Sequence, residues 1–154
     1  MKSSKKKIIE HHSKVIGFVD SLNSLNEKQW RFPIAEGKWT VAEVIGHLIP
    51  WDEFVLHKRI PFLFNENELP TAPSTNELNT EAAYNARVKD KNEIMSHFLS
   101  KRKELLKAIE DIPSIKWGNE VMIGKTKLSL FDYFYGLSKH DDHHLQQIKN
   151  ITCE

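Results

Sequence analysis

The sequence lacks the cysteines of a disulfide framework and any apolar run long enough to cross a membrane. Its single cysteine, Cys153, forms no intrachain disulfide, and a catalytic role is disfavoured because segments next to a chain end fray. A membrane-spanning helix needs about 20 consecutive apolar residues. No apolar stretch follows the basic start at residues 2–7, as it would in a secretion signal. We therefore expect a cytoplasmic protein with no membrane partner.

Charge of one sign is also lacking, since 22 lysines and arginines oppose 21 acids for a formal net charge of +1. Such a balance provides no overall attraction to phosphate backbones, so nucleic acid is excluded as an expected partner. Hydrophobic residues make up 40% and charged residues 28%, close to globular averages, which excludes disordered and fibrous classes. At 154 residues the chain has the length of one ordinary domain, so we expect one domain over residues 1–154.

Apolar residues at three-and-four spacing predict four amphipathic helices, at about 4–22, 41–64, 81–110 and from Ser129 through Ile151. Thr40 with Glu43, and Ser129 with Asp132, have the spacing of helix-capping pairs. Pro50 predicts a kink within the second helix because it removes a backbone donor and crowds the preceding turn. Residues 117–126 are predicted as a loop with a possible strand.

The segment between the second and third helices, residues 65–79, is rich in turn formers and has no apolar period. An extended chain reaches about 3.3 Å per residue, so this linker can return along a 24-residue helix of about 36 Å. The fold class predicted is therefore all-α, a four-helix bundle. An up-down-down-up course with a long crossover between helices 2 and 3 is allowed, and a simple antiparallel bundle stays open.

The predicted fourth helix carries a histidine pair with the spacing of metal ligands. His140 and His144 are four residues apart, so on a helix their imidazoles project from the same side and can share one ion. The pair alone is also compatible with a helix surface. The segment lacks the glutamate of the His-Glu-x-x-His motif, which disfavours a zinc protease of that type.

A third histidine, His47, falls between Val44, Leu48 and Trp51 on the predicted core side of the second helix. A buried imidazole without a partner is costly, so it requires either a metal ion or a hydrogen bond to a backbone carbonyl or to Asp141. Three imidazoles would leave a coordination position open, as catalytic ions require. Imidazole ligands favour zinc or nickel over magnesium or calcium.

Residues near these histidines have structural as well as functional interpretations. Glu43 can orient the ring of His47, although helix capping already explains it. One of Asp141, Asp142 and His143 can act as a base, but at least two of them are expected on solvated helix surface. The tryptophans line a substrate pocket or belong to the core: Trp30, Trp39, Trp51 and Trp117. The remaining histidines are expected to be structural or surface residues: His11, His12, His57 and His97.

Two segments carry a resemblance to a known family. Residues 37–48 read Gly-Lys-Trp-Thr-Val-Ala-Glu-Val-Ile-Gly-His-Leu, with a tryptophan and threonine opening the helix and a histidine-leucine pair seven or eight residues later. Residues 140–148 read His-Asp-Asp-His-His-Leu-Gln-Gln-Ile and contain a late His-x-x-x-His. Taken together in this order, they resemble the DinB-like superfamily.

The resemblance implies a four-helix bundle with an up-down-down-up course, commonly a homodimer, with metal ligands at His47, His140 and His144. Characterised members of that family include metal-dependent transferases that use low-molecular-weight thiols, and others are described only as metal-dependent hydrolases. Our leading hypothesis is an enzyme whose divalent metal ion activates a thiol for transfer to an electrophilic small molecule. A hydrolase of an ester, amide or lactone is the alternative, and a non-catalytic stress-response or binding module is a third.

Overall fold

Helices dominate the computed structural model, which describes residues 2–64 and 69–152. Cys153 lies outside this part of the chain. The described residues form six α-helices and one two-stranded hairpin: α1 Lys2–Ser21, α2 Glu27–Trp30, α3 Val41–Phe54, α4 Thr75–Val88, α5 Lys91–Glu110, β1 Glu120–Ile123, β2 Thr126–Ser129 and α6 Leu130–Thr152. No helix in the described part is both long and apolar enough to cross a membrane.

The long helices pack side by side as a bundle. Helix α1 contacts α5 and α6, and α3 contacts α4 and α5. Buried apolar side chains form two clusters between them, one around Trp30, Ile45 and Phe98 and the other around Trp117, Leu130 and Phe134. The predicted all-α bundle is confirmed, while the up-down-down-up course stays a prediction.

Helix α3 begins at the predicted capping pair and ends earlier than predicted. The Glu43 amide donates to Thr40 Oγ1 at 3.2 Å, and the Thr40 amide donates to Glu43 Oε1 at 3.1 Å. Pro50 lies inside the helix. The α-helix stops at Phe54, where a π-helical segment, Val55–Arg59, and a short 3-10 turn, Ile60–Phe62, follow it.

The predicted third helix is wrong in one respect, because it is broken at residues 89–90 into α4 and α5. Lys89 is extended, and the Asp90 side chain accepts a hydrogen bond of 2.8 Å from the Glu93 amide. Aspartate competes for helical amides in this way, so it starts a new helix more readily than it continues one. Helix α4 also begins at Thr75, within the predicted linker.

The segment before α6 is a β-hairpin, as the sequence had left possible. Strands β1 and β2 pair antiparallel, with Glu120 opposite Ser129 and Ile123 opposite Thr126. Gly124 takes a φ of +62° in the turn, a conformation that only glycine adopts without strain. The hairpin leads directly into the capped start of α6, where the Asp132 amide donates to Ser129 Oγ at 3.0 Å.

Candidate metal centre

Three histidines from two helices lie close together: one is buried, one half-buried and one exposed. Helix α3 contributes His47, and α6 contributes His140 and His144. Each residue offers one nitrogen, and these nitrogens all lie within 4.8 Å of one another. His140 Nε2 and His144 Nε2 are 3.2 Å apart, and the His47 and His144 ring centroids are separated by 4.6 Å. The structure thus brings together the three residues that helical spacing and the family resemblance had selected.

Hydrogen bonds on the far side of two rings determine which nitrogen faces the cluster. His47 Nδ1 bonds the Val44 carbonyl, and His144 Nδ1 lies 2.9 Å from Gln147 Oε1. Both oxygens are acceptors, so each Nδ1 carries the proton and donates it. The Nε2 atom of each neutral ring is then left with a lone pair, which is how protein partners commonly orient metal-binding histidines.

Burial keeps the imidazoles of His47 and His144 neutral. His47 is 2% exposed, and burial, with a smaller contribution from His144, lowers its pKa to about 4. The pKa of the half-buried His144 is also lowered, mainly by burial, although its hydrogen bond with Gln147 acts in the opposite direction. A neutral imidazole is the form that coordinates a metal ion, so no proton has to be displaced from these two rings at pH 7.

The geometry and donor set fit a transition-metal ion. With zinc–nitrogen distances of about 2.0–2.1 Å, two ligand nitrogens of a tetrahedral site lie about 3.3 Å apart. The His140–His144 Nε2 separation of 3.2 Å is close to that value. Three nitrogen ligands suit zinc or nickel and leave a position for water or substrate.

A cavity of about 410 Å³ opens beside the histidines. Trp39, Trp51 and Tyr133 are among its aromatic walls, with Leu137 next to them. The Trp39 ring lies 4.8 Å from the His47 ring, and Trp51 Nε1 donates to Asn79 Oδ1 at 2.8 Å. Its volume is in the range of small-molecule sites, which are mostly apolar with a few placed polar groups.

The four tryptophans divide between the two roles considered from the sequence. Trp39 and Trp51 line the cavity. Trp30 and Trp117 are fully buried in the apolar clusters, and their indole nitrogens have no hydrogen-bond partner among the described residues. The sequence alone did not separate the pairs, because both roles require large apolar side chains.

Glu43 caps the start of α3 and does not orient the ring of His47. One carboxylate oxygen accepts from the Thr40 amide and hydroxyl, and the other accepts from Arg87 at 2.8 Å. Both oxygens are therefore engaged away from His47, whose Nδ1 is held by a backbone carbonyl. Helix capping, the favoured interpretation, is what the structure shows.

Behind the histidines lies an ionic cluster that sequence reasoning missed. Arg102, 1% exposed, donates to Asp52 at 2.7 and 3.0 Å and to Asp141 at 2.8 and 3.1 Å. His11 Nε2 lies 3.0 Å from Asp141 Oδ2, and His12 Nδ1 lies 3.5 Å from the Arg102 guanidinium. These contacts connect α1, α3, α5 and α6, and Asp141 is the residue that follows His140.

One guanidinium cannot neutralise two buried carboxylates, and their pKa values separate accordingly. Burial raises the pKa of Asp52 to about 6 despite its pairing with Arg102. Burial also acts to raise the pKa of Asp141, but Arg102 and the His11 hydrogen bond outweigh it and hold this pKa well below its usual range. Burial and the nearby Arg102 lower the pKa of His12 to about 3, so His12 is neutral at pH 7.

A signal for this cluster was present in the sequence. Arg102 falls in the apolar row of α5 formed by Ile94, Phe98, Leu105 and Ile109, where a charged residue requires a buried partner. His12 likewise falls in the apolar row of α1.

The other histidines and acids lie on or near the surface. Asp142 and His143 are exposed, as expected for two of the three residues beside the ligands, and Asp141 is the buried exception. His57 is exposed. His97 Nε2 lies 3.1 Å from Glu53 Oε1 in a partly exposed pair.

Solved structures with the same fold were found by structural comparison. YfiT from Bacillus subtilis, described as a probable metal-dependent hydrolase with an unusual four-helix bundle topology, has a TM-score of 0.78 at 14% identity. That match covers 99% of this chain and 87% of YfiT. The mycothiol-dependent maleylpyruvate isomerase has a TM-score of 0.71 at 14% identity, and a mutant of it has 0.72. The match covers 94% of this chain and 60% of the isomerase, so this chain spans less than two thirds of that protein.

A comparison with curated proteins gave no match. The sequence profile of the DinB superfamily matches residues 17–148, a range that contains His47, His140 and His144. Because this match covers most of the chain, the protein belongs to the DinB superfamily.

Proposed function

We propose that the protein is a metal-dependent enzyme in which His47, His140 and His144 hold a divalent ion, zinc or nickel, at the edge of a small-molecule cavity. The observation that carries this proposal is the convergence of three ligand nitrogens within 4.8 Å beside that cavity. Such an ion, when bound, lowers the pKa of a water or thiol and supplies a nucleophile at neutral pH. Family membership and the metal dependence ascribed to YfiT support it.

The protein's own groups orient the ligands and shape the reaction space. Val44 and Gln147 hold the rings of His47 and His144 so that each Nε2 faces the cluster. Trp39, Trp51 and Leu137 give the cavity an apolar wall. Tyr133 lines the same space, and burial raises its pKa to about 12, so its phenol is a neutral hydrogen-bond donor at pH 7.

The reaction that we propose first is transfer of a low-molecular-weight thiol to an electrophilic small molecule. The thiol loses its proton to solvent, a sulfur–carbon bond forms, and the leaving group of the electrophile departs with its electron pair. An apolar cavity favours this reaction because it accommodates the carbon skeleton of an electrophile and keeps water from competing for it. The thiol dependence of the isomerase that shares the fold supports it.

Hydrolysis is the second candidate, favoured by the description of YfiT, whose match covers nearly the whole of this chain. Water would then add across an ester, amide or lactone bond: the acyl carbon gains the hydroxyl, and the departing oxygen or nitrogen gains the proton, within one ring-opened molecule in the case of a lactone. A substrate panel without thiol separates the two reactions. If the protein holds metal but converts neither the thiol and electrophile pairs nor the hydrolysable substrates, the result would support a non-catalytic binding module.

Metal content is the first test. Elemental analysis of the purified protein is expected to find about one zinc or nickel per chain in the wild type and little in His144→Ala. His143→Ala is the matched control because His143 is the exposed neighbour on the same helix, and it should keep its metal. Equal metal in all three proteins, or none in the wild type after zinc dialysis, would remove the proposed centre.

Activity is the second test. Metal-loaded protein is incubated with bacillithiol, mycothiol or glutathione and an electrophile, and the thiol adduct is followed over time. Adduct formation above the protein-free rate is expected in the wild type and in His143→Ala, and it should be lost in His144→Ala. The thiol-transfer proposal fails if no thiol gives an adduct faster with the protein than without it.

A further inference from the structure

Arg59 is a buried cation in the wall of the cavity with an unsatisfied donor. Its side chain is 8% exposed, and its Nε has no hydrogen-bond partner among the described residues. The guanidinium lies over the Phe54 ring, 4.9 Å from the ring centroid, and Phe54 lines the same cavity. The other buried arginine, Arg102, binds two carboxylates. No carboxylate of the described residues forms an ion pair with Arg59.

A buried charge without a partner is costly, and proteins normally satisfy it with a counter-ion. An aromatic face below the guanidinium offsets part of that cost but accepts no conventional hydrogen bond from Nε. A planar guanidinium at the edge of an apolar cavity is suited to bind a carboxylate through two parallel hydrogen bonds. A ligand that brings a carboxylate into the cavity would therefore supply both the missing counter-ion of Arg59 and an acceptor for its Nε.

The π-helical segment keeps Arg59 on the same face as the metal centre. His47, Trp51, Val55 and Arg59 are spaced by four residues, and all four line the cavity. In an α-helix a four-residue step overshoots the 3.6-residue turn, so such a row drifts around the axis. The wider turn of Val55–Arg59 reverses that drift. The row ends at most about 18 Å along the axis from His47, at 1.5 Å per residue.

We propose that Arg59 binds the carboxylate of an elongated small molecule whose apolar body lies against Trp51 and Phe54 and whose reactive end lies at the histidines. The proposal rests on the proposed function in one respect, namely that this cavity is the substrate site. Tyr133 completes the pocket as a neutral donor, so Arg59 faces no competing negative charge from it. The carboxylate belongs either to the electrophile or to the thiol, and the second experiment separates these sources.

Binding is tested by calorimetry with two matched probes, 4-phenylbutyrate and its neutral amide, 4-phenylbutyramide, added to the full-length protein as purified. We expect the wild type to bind the acid about tenfold or more tightly than the amide, because a charge-assisted hydrogen bond is lost with the amide. Arg59→Gln should remove this preference. Lys58→Gln removes the same charge from the exposed neighbouring residue and should keep it.

Three outcomes overturn the proposal. The first is that the wild type binds the acid and the amide equally, the second that Arg59→Gln keeps the preference for the acid, and the third that Lys58→Gln loses that preference as fully as Arg59→Gln does. A preference kept in Arg59→Gln but lost in His144→Ala would place the carboxylate at the metal ligands. Circular dichroism checks that each variant is folded. If Arg59→Gln does not fold, Arg59→Lys replaces it and is expected to weaken acid binding without affecting amide binding; an unchanged acid affinity would then overturn the proposal.

Turnover assigns the source of the carboxylate. With an active thiol and electrophile pair, the methyl ester of each co-substrate is compared with its free acid in the wild type and in Arg59→Gln. Arg59→Gln is expected to raise the KM of only the co-substrate that presents the carboxylate, and esterification should have the same effect in the wild type. If the acid preference is absent but adduct forms, only this inference fails. If the preference is present but no adduct forms, only the thiol transfer fails.

Discussion

Two polar clusters meet at consecutive residues of α6, since His140 belongs to one and Asp141 to the other. They differ in whether the chain itself supplies the hydrogen-bond partners of their side chains. At Asp141, the chain itself supplies the partners, because Arg102 and His11 hydrogen-bond the carboxylate and Arg102 also pairs with Asp52. At His140 and His144, the two Nε2 atoms lie 3.2 Å apart beside the cavity, and Arg59, in the wall of the same cavity, keeps an unsatisfied Nε. Satisfied clusters hold a fold together, whereas donors and acceptors left facing a cavity are suited to bind something else.

Removing the cation of the satisfied cluster should have the largest effect. Arg102→Met leaves two buried carboxylates without their shared partner, so we expect a loss of about 3–5 kcal/mol in unfolding free energy. Urea denaturation measures it. Lys103→Met on the exposed side of the same helix is the control and should change stability by less than about 0.5 kcal/mol. A similar loss in both variants would refute the structural role of the cluster.

The same cluster predicts a pH dependence of folding through His12. Its folded pKa of about 3 lies below the ordinary value of 6.5, so between these values the unfolded chain binds more protons. The contribution of His12 to stability is therefore fully present above pH 6.5 and is lost as the pH falls towards 3, by at most about 1.4 kcal/mol per pH unit. Asp52, with its pKa raised to about 6, acts oppositely between about pH 4 and 6.

Urea denaturation at pH 6.5, 5.5 and 4.5 isolates the contribution of His12. The slope of unfolding free energy against pH should be shallower in His12→Gln than in the wild type. His57→Gln, at an exposed position, should reproduce the wild-type slope. Identical slopes in the wild type and His12→Gln would contradict the burial of a neutral imidazole.

A substitution at Gly46, next to His47, tests whether the close packing of α3 against α4 positions the three histidines. A Cβ added at Gly46 would lie 2.8 Å from Ala86 Cβ, so Gly46→Ala must push α3 away from α4. We expect a loss of about 1–3 kcal/mol in unfolding free energy, together with weaker zinc binding, measured by denaturation and by competition with a chelator. Gly136→Ala has no atom within 4 Å of the added carbon and should be neutral or stabilising. Tolerance of Gly46→Ala with unchanged zinc affinity would show that this close approach is unimportant.

The smallest effect on the metal-free fold is expected at His144. Because no charge is left buried without a partner, His144→Ala should cost less than about 1 kcal/mol without metal. Added zinc should raise the melting temperature of the wild type and of His143→Ala but not of His144→Ala, since binding to the native state alone adds stability. A large loss of stability without metal would make this cluster structural, like the one around Arg102.

Local spacing in the sequence was enough to predict the helical class and both capping pairs. It also allowed the β-hairpin and selected the three histidines as candidate ligands. Thr40 with Glu43, and His140 with His144, interact within one helical turn, so their geometry follows from residue separation alone. The break at Asp90 was missed because the apolar row begins only at Ile94 and so does not locate the start of its helix. The homodimer and the cytoplasmic location implied by the resemblance and the composition stay predictions.

Tertiary structure alone decided which charged side chains meet. Arg102 joins Asp52 and Asp141 across 50 and 39 residues of sequence, and Arg59 reaches the cavity through a π-helical segment that no periodicity rule indicates. A residue's neighbours within a helix depend on spacing, but its neighbours across a bundle depend on how the helices rotate and pack against one another. For that reason the sequence by itself determined the candidate ligands, and only the fold determined what surrounds them.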